Sequence, residues 1–285
     1  MKQKYFYHEH LADYAELKAK GLMSRGELYG NPDDFSEFSS KSFLIEILPR
    51  LDLKPDARIL ELGCGTGPVA CFLAQLGYHV HGIDVIPDAI DKAKAIAAEH
   101  CLEVQYEVLD VCKLSGEGGS YQLIVDSFCS QGIVTDPDRI GMFSGIKSRL
   151  AKDGYFLMSC CVFEPDREDP ETQIVDSTTG KVFTRFDEDA LWDSDAEICY
   201  GLFHPDAFRP SVGPEDYEGT ICVNDTWYIH QRRYPTPENL RLELERHGFT
   251  VLEQSGEVTE NAICVHQGTD ITLNNILNQT QLPVY

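Results

Sequence analysis

Basic residues are scarce in this chain. Lysine and arginine number 24 against 47 aspartates and glutamates over 285 residues, for a formal net charge of −23 and an isoelectric point near 4.6. A protein that binds DNA or RNA needs a cationic footprint to neutralise phosphates, so nucleic acid is not expected as a partner. An acidic field instead favours a cationic small ligand. Long apolar runs are also missing: no stretch approaches the roughly 18 residues that a membrane span needs. The opening Met1-Lys2-Gln3-Lys4-Tyr5-Phe6-Tyr7-His8 lacks the apolar centre and small-residue cleavage site of a secretory leader. No Cys-x-x-Cys occurs, and the 10 cysteines are scattered through apolar segments, as expected of reduced, packed thiols. The expectation is a cytoplasmic protein without disulfide staples, with no membrane partner and no metal site.

What is present is concentrated at residues 58–67, Arg-Ile-Leu-Glu-Leu-Gly-Cys-Gly-Thr-Gly. An apolar run, read as a strand, ends in glycines at 63, 65 and 67 and leads into a helical pattern. Glycines allow a sharp turn and a close approach by a flat ligand. A dinucleotide fingerprint would need glycine at 68, where Pro68 stands as an acceptable first helical residue. A tight structural turn gives similar letters, so the downstream residues have to decide.

Three further strand ends carry acids. Tyr78–Ile83 closes on Asp84, one helix and one strand after the glycines; Val104–Leu109 closes on Asp110; Tyr121–Val125 closes on Asp126 and continues into Ser127-Phe128-Cys129. Taken in this order, they make the chain resemble the class I (Rossmann-like) S-adenosylmethionine (SAM) dependent methyltransferases of the small-molecule type. The resemblance covers about residues 40–162 and 235–268. It implies SAM as cofactor, held by Glu61, Gly63, Cys64, Gly65, Gly67, Asp84, Val85, Asp110, Val111 and Asp126. In that family Asp84 would hold the ribose diol, Asp110 the adenine amine and Val111 the ring face. An aspartate capping a helix or turn is the competing role for Asp84, and a ligand-orienting acid is the competing role for Asp126.

Strands near 58–62, 79–83, 104–109, 121–126 and 154–162 alternate with helices near 67–76, 87–100 and 137–151. That alternation predicts a doubly wound, mostly parallel sheet, and the resemblance makes it seven-stranded with a reversed last strand. Helices over 11–23 and 36–50 would form an N-terminal cap (1–50) on the SAM-binding core (51–163). Pro237 opens a last helix, and 249–253 and 262–266 form a closing hairpin within 235–285. Between them, residues 164–234 are too long for a plain loop. This insertion, classed as α/β, with 182–186, 198–203 and 226–231 read as strands of a small antiparallel lid, is expected to cover an acceptor pocket or to form a homodimer interface.

Methyl transfer to an O, N or S atom of a small acceptor needs alignment above all and gains from a base. The candidate bases are His230 and Asp126, then His204 and His8. Candidate acceptor-binding residues are Cys129, Trp227, Tyr228 and Arg232. The aromatics Phe203, Phe208, Tyr217 and Tyr234 and the adjacent Arg233 could join them, or the aromatics could form the insertion's core. Thiols at Cys129, Cys160, Cys161, Cys199 and Cys222 leave metalloid methylation as a minor alternative. A catalytically silent SAM-binding sensor is the alternative from another class.

Overall fold

The computed structural model describes residues 4–22, 35, 37–114, 120–162, 172–203, 213–257 and 259–274. Helix α1 (Tyr5–Lys20) opens the described chain, and Gly21, in the left-handed region, ends it. The helix begins earlier than the expected 11–23 because the aromatic run is itself an anchor: Tyr5, Phe6, Tyr14 and Leu17 are buried. Helix α2 (Lys41–Ile47) is shorter than the expected 36–50. Pro49 has no N–H to continue the helical ladder, and Leu48–Arg50 close as a 3-10 turn.

The core follows as β1 (Arg58–Leu62), α3 (Pro68–Gln75), β2 (His79–Asp84), α4 (Pro87–Glu99), β3 (Val104–Val108), β4 (Tyr121–Ser127), α5 (Asp136–Arg149) and β5 (Leu150–Cys161). It is completed by α6 (Pro237–Arg246), β12 (Phe249–Gly256) and β13 (Thr259–His266). The sheet order is β12-β13-β5-β4-β1-β2-β3. Strands β1 to β5 pair in parallel, and β13 runs antiparallel to both β5 and β12. This is the expected seven-stranded sheet with its reversed strand. Chain order steps outward in both directions from β1 and β4, so their carboxyl ends flank the switch point where α/β sheets place ligands. Leu150 already pairs with Tyr121, and the register breaks before Leu123 meets Tyr155. Lys152-Asp153-Gly154, between the expected helix 137–151 and strand 154–162, therefore lies in a strand irregularity within β5.

The insertion forms a sheet of its own: β6 (Gln173–Val175), β7 (Val182–Asp187), β8 (Ala190–Asp193), β9 (Ile198–Leu202), β10 (Thr220–Val223) and β11 (Thr226–Arg233). Its order is β10-β11-β9-β8-β7-β6, antiparallel throughout. The antiparallel pairing is as expected, but no α-helix occurs among its described residues, so its α/β classing is corrected to antiparallel β structure. The three expected strands are present; β6, β8 and β10, of three or four residues each, are too short to show a period of two. Phe203, Tyr217 and Ile229 join the main core, whereas Phe183, Leu191, Tyr200 and Val223 form a separate cluster on the insertion. No helix among the described residues is long and apolar enough to cross a membrane.

Candidate functional site at the carboxyl edge of the sheet

Strand β1 buries Ile59, Leu60, Glu61 and Leu62 in succession, as a strand covered on both faces does. The chain then reverses through Gly63, Gly65 and Gly67, with φ of +58°, +55° and +82°, the left-handed region that glycine enters without penalty. Neighbouring side chains show a second reason for two of them. A Cβ on Gly63 would lie 2.5 Å from Cys129 Sγ, and one on Gly67 would collide with the Tyr106 hydroxyl. The sequence reading gave this closeness to a ligand; here Cys129 and Tyr106 take it up. Gly65 is different, with the Tyr14 hydroxyl of α1 standing 3.1 Å from where its Cβ would be. The N-terminal helix therefore reaches over the middle of the turn.

The acids expected at strand ends converge on this edge. Asp84 Oδ2 accepts the Gly65 amide at 2.9 Å, and Oδ1 accepts the Ile86 amide at 2.9 Å. Asp84 thus fixes the turn, and with about two lone pairs per oxygen it keeps capacity for hydroxyl donors. The adjoining Val85 packs beside Tyr14, Leu17 and Ile86. Asp110 accepts the Cys112 amide at 2.9 Å and pairs with Lys113 at 2.8 Å, while Val111 is buried beneath it. Glu61 is fully buried, and burial, with Asp84 nearby, pushes its carboxyl well above the usual range despite a bond from the Ala70 amide. Its Oε2 has no hydrogen-bond partner in the fold.

Asp126 stands at the end of β4, as expected, with its carboxylate engaged by backbone amides. Its side chain is buried and accepts the amides of Cys129 at 2.7 Å and Ser130 at 3.2 Å. It organises the turn after β4, and burial raises its carboxyl above the ordinary range. Both oxygens are engaged inside the protein, a geometry that suits a turn-forming acid better than a base. Within this turn Phe128 has φ +67°, a conformation that costs a bulky residue on the order of 1–3 kcal/mol and collects at functional sites. Its amide donates to Ser159 O at 2.8 Å. Beside it, Ser127 Oγ meets Ser40 Oγ at 2.7 Å, tying the start of α2 to the same edge.

Thiols Cys64 and Cys129 sit among these acids. Burial first, and then Glu61 and Asp84 for Cys64 and Asp126 and Asp84 for Cys129, push these thiols well above their ordinary value. Neutral thiols are poor ligands for a soft ion. Among the described residues no group of three His, Cys, Asp or Glu side chains is arranged to hold a metal.

The remaining expected residues scatter. His230, 3% exposed, packs against the Tyr5 ring at 3.9 Å between centroids and against Tyr200 at 6.5 Å. Burial, with Lys4 adding to it, lowers its pKa to about 4, so the ring is neutral at neutral pH. The contacts of its ring are with these two tyrosines and Gly219, not with the glycine turn, which weakens the geometric case for it as a base. Trp227 packs on the main core and the adjacent Tyr228 on the insertion's own cluster, because neighbouring strand residues face opposite ways. They do not line one pocket. Arg232 lies near Cys161, where it only partly offsets the upward push of burial on the thiol, and donates to Gln231 O at 2.8 Å. Phe203 and Tyr217 pack at a tilt in the main core, and Tyr234 stacks with Phe186 and Trp192. These aromatics are packing. His204, Phe208 and the side chain of His8 lie outside the described residues. Sequence reasoning missed Tyr14, Ser40 and Phe128: the first two reach the edge through long-range packing, and the strain at Phe128 leaves no compositional mark.

A family described as a methyltransferase domain matches residues 59–154. The 2-heptyl-1-hydroxyquinolin-4(1H)-one methyltransferase of Mycobacteroides abscessus is 39% identical over 70 residues, 24% of this chain and 31% of that protein. The ubiquinone biosynthesis O-methyltransferase of Xanthomonas campestris pv. campestris is 30% identical over 106 residues, 37% of this chain and 43% of that protein. The matched region thus spans less than half the length of these two curated relatives. In three dimensions the chain resembles the CcbJ methyltransferase from Streptomyces caelestis, with a TM-score of 0.58 at 17% identity, covering 84% of this chain and 94% of that one. The glycine turn, the acids at the strand ends and the sheet order agree with these likenesses: residues 59–154 match the methyltransferase domain, and the chain shares the fold of that solved methyltransferase.

Proposed function

We propose that the protein transfers the methyl group of SAM to an oxygen, nitrogen or sulfur atom of a small molecule. The observation that carries this reading is the meeting of Gly65, Asp84 and the strained Phe128 turn at the β1/β4 switch point. SAM is the cofactor of this domain, and when bound it supplies an already activated methyl group. The residues present fit it. Asp84 keeps acceptor capacity for a diol, Asp110 and Val111 offer an acid beside an apolar surface, and the buried Glu61 Oε2 adds a further polar atom at the end of β1. Tyr14 would cover the turn from the α1 side.

The chain's own part is to hold the acceptor in line and exclude water, effects that can amount to roughly 7–11 kcal/mol. Oxygen is the favoured acceptor atom, by likeness to the two curated relatives, one of them named an O-methyltransferase. The insertion is assigned to the acceptor side because Trp227 and Ile229 of β11 press on the main core. The test is formation of S-adenosylhomocysteine on mixing the chain and SAM with small phenols, amines and thiols. Acceptor-dependent product supports the proposal. Tight SAM binding with no product from any class would support the silent sensor instead.

A further inference from the structure

Phe128, just past the end of β4, has φ +67°, a region that a bulky side chain enters only when its surroundings force it. Three backbone bonds do so. Asp126 accepts the amides of Cys129 at 2.7 Å and Ser130 at 3.2 Å on one side, and the Phe128 amide donates to Ser159 O at 2.8 Å on the other. Glycine would take this position without strain, yet a phenyl ring stands there. The ring does not serve the core. Phe128 is half-buried and joins none of the hydrophobic clusters among the described residues. Every other described phenylalanine packs in one of them, except Phe186, which rests against Trp192 and Tyr234.

The position of this residue along the edge follows from its neighbours. Ser127 Oγ meets Ser40 Oγ at 2.7 Å, and Cys129 Sγ lies against Gly63 of the glycine turn. Phe128 thus stands between the start of α2 and that turn. In the sheet, β4 adjoins β1 on the side away from β2 and β3. Asp84 ends β2, and Asp110 and Val111 follow β3. On the reading proposed above, the nucleoside lies over β2 and β3, and the methyl-bearing sulfonium reaches toward β1 and β4. The ring of Phe128 is therefore at the reactive end of the edge.

We propose that the Phe128 ring is the apolar wall of the acceptor's seat and that the acceptor is a planar aromatic molecule stacked on it, an inference that rests on this edge being a SAM site. Aromatic rings prefer offset-stacked or edge-to-face pairing and gain from it beyond the area they cover. A saturated ring of the same size gains only the area. Because the backbone bonds fix the turn to a rigid strand end, a flat acceptor laid on the ring has few orientations left, which is the alignment that methyl transfer needs. The acceptor's heteroatom forms its bond to the methyl carbon as the S–CH3 bond breaks; the sulfur keeps the electron pair, and the acceptor's proton passes to water.

The test is calorimetric titration of the full chain, saturated with S-adenosylhomocysteine, with phenol, catechol and 2-naphthol and with their saturated counterparts cyclohexanol, cyclohexane-1,2-diol and decahydro-2-naphthol. At least one planar compound is expected to bind roughly tenfold more tightly than its counterpart. That preference should vanish in Phe128→Gly and persist in Phe128→Tyr, with S-adenosylhomocysteine affinity unchanged in both. Because glycine relieves the strain and the ring packs in no cluster, the denaturant midpoint of Phe128→Gly should be no lower than that of the unmodified chain. Four results would overturn the proposal: no planar preference, the same preference in Phe128→Gly, weaker S-adenosylhomocysteine binding in that variant, which would give the ring to the cofactor, or a lowered midpoint, which would give it to the core. Failure of S-adenosylhomocysteine to bind the unmodified chain would instead fault the cofactor reading, and this inference with it.

Discussion

In the seven-stranded sheet, β1 and β4 bury residues on both faces and present their carboxyl ends to one edge, whereas β7 of the six-stranded sheet buries only Phe183 and leaves Val182 and Phe186 exposed. The first arrangement forces consecutive apolar residues and so writes itself into the sequence. It also fixes the glycine turn and the acids to rigid strand ends. The second is held by small clusters around Tyr200 and Trp192 and by a few residues that reach into the main core. Fixed geometry therefore belongs to the first sheet, and packing by small local clusters to the second.

The largest break in this contrast is expected in the core, where α5 meets α6. Arg139, 2% exposed, holds Glu243 and the carbonyls of Ser130 and Ile133. Arg139→Ala leaves a buried carboxylate uncompensated and should cost about 3–5 kcal/mol in denaturant unfolding. A loss under about 1 kcal/mol, the size of an exposed pair, would mean that this pair does not hold α5 to α6 within the core.

A pH titration sharpens the same boundary. Because burial holds His230 at about 4 in the fold against 6.5 ordinarily, the unfolded chain binds more protons between these values. Stability from the neutral ring is therefore complete above about pH 6.5, declines as the pH falls toward 4 and levels off below it, a change on the order of 3 kcal/mol. Unfolding curves of His230→Phe should lack that part of the slope. An identical slope in the variant would contradict the burial argument.

At the carboxyl edge, Asp84→Ala removes the acceptor of the Gly65 and Ile86 amides. SAM affinity should drop about ten- to a hundredfold, on the order of 1.5–3 kcal/mol for bonds to a charged group, as read by calorimetry. Equal affinity would remove Asp84 from the cofactor site. The smallest effect is expected on the outer insertion: Val182→Thr, at a position 45% exposed, should change stability by no more than about 0.5 kcal/mol. A larger loss there would show that this face is covered in solution.

How much of this was legible follows from the same contrast. The run Ile59 to Leu62, the glycines and the acids at 84, 110 and 126 are local signals, and the sheet they announced is the sheet observed. Their positions were readable, but the roles of some were not. Asp126 reads like a site residue, yet its oxygens serve the amides of Cys129 and Ser130. Likewise Gly63 and Gly67 make room for Cys129 and Tyr106, a packing relation between distant residues that no spacing encodes. In the insertion, Trp227 and Tyr228 looked like partners in one pocket, and strand alternation sends them to different clusters.

The central claim is that the β1/β4 edge holds SAM and not a dinucleotide. Parallel calorimetric titration of the full chain with SAM, S-adenosylhomocysteine and NAD tests it most directly. One-site binding of the first two with no heat from NAD is the predicted result; NAD binding, or silence from all three, would contradict it.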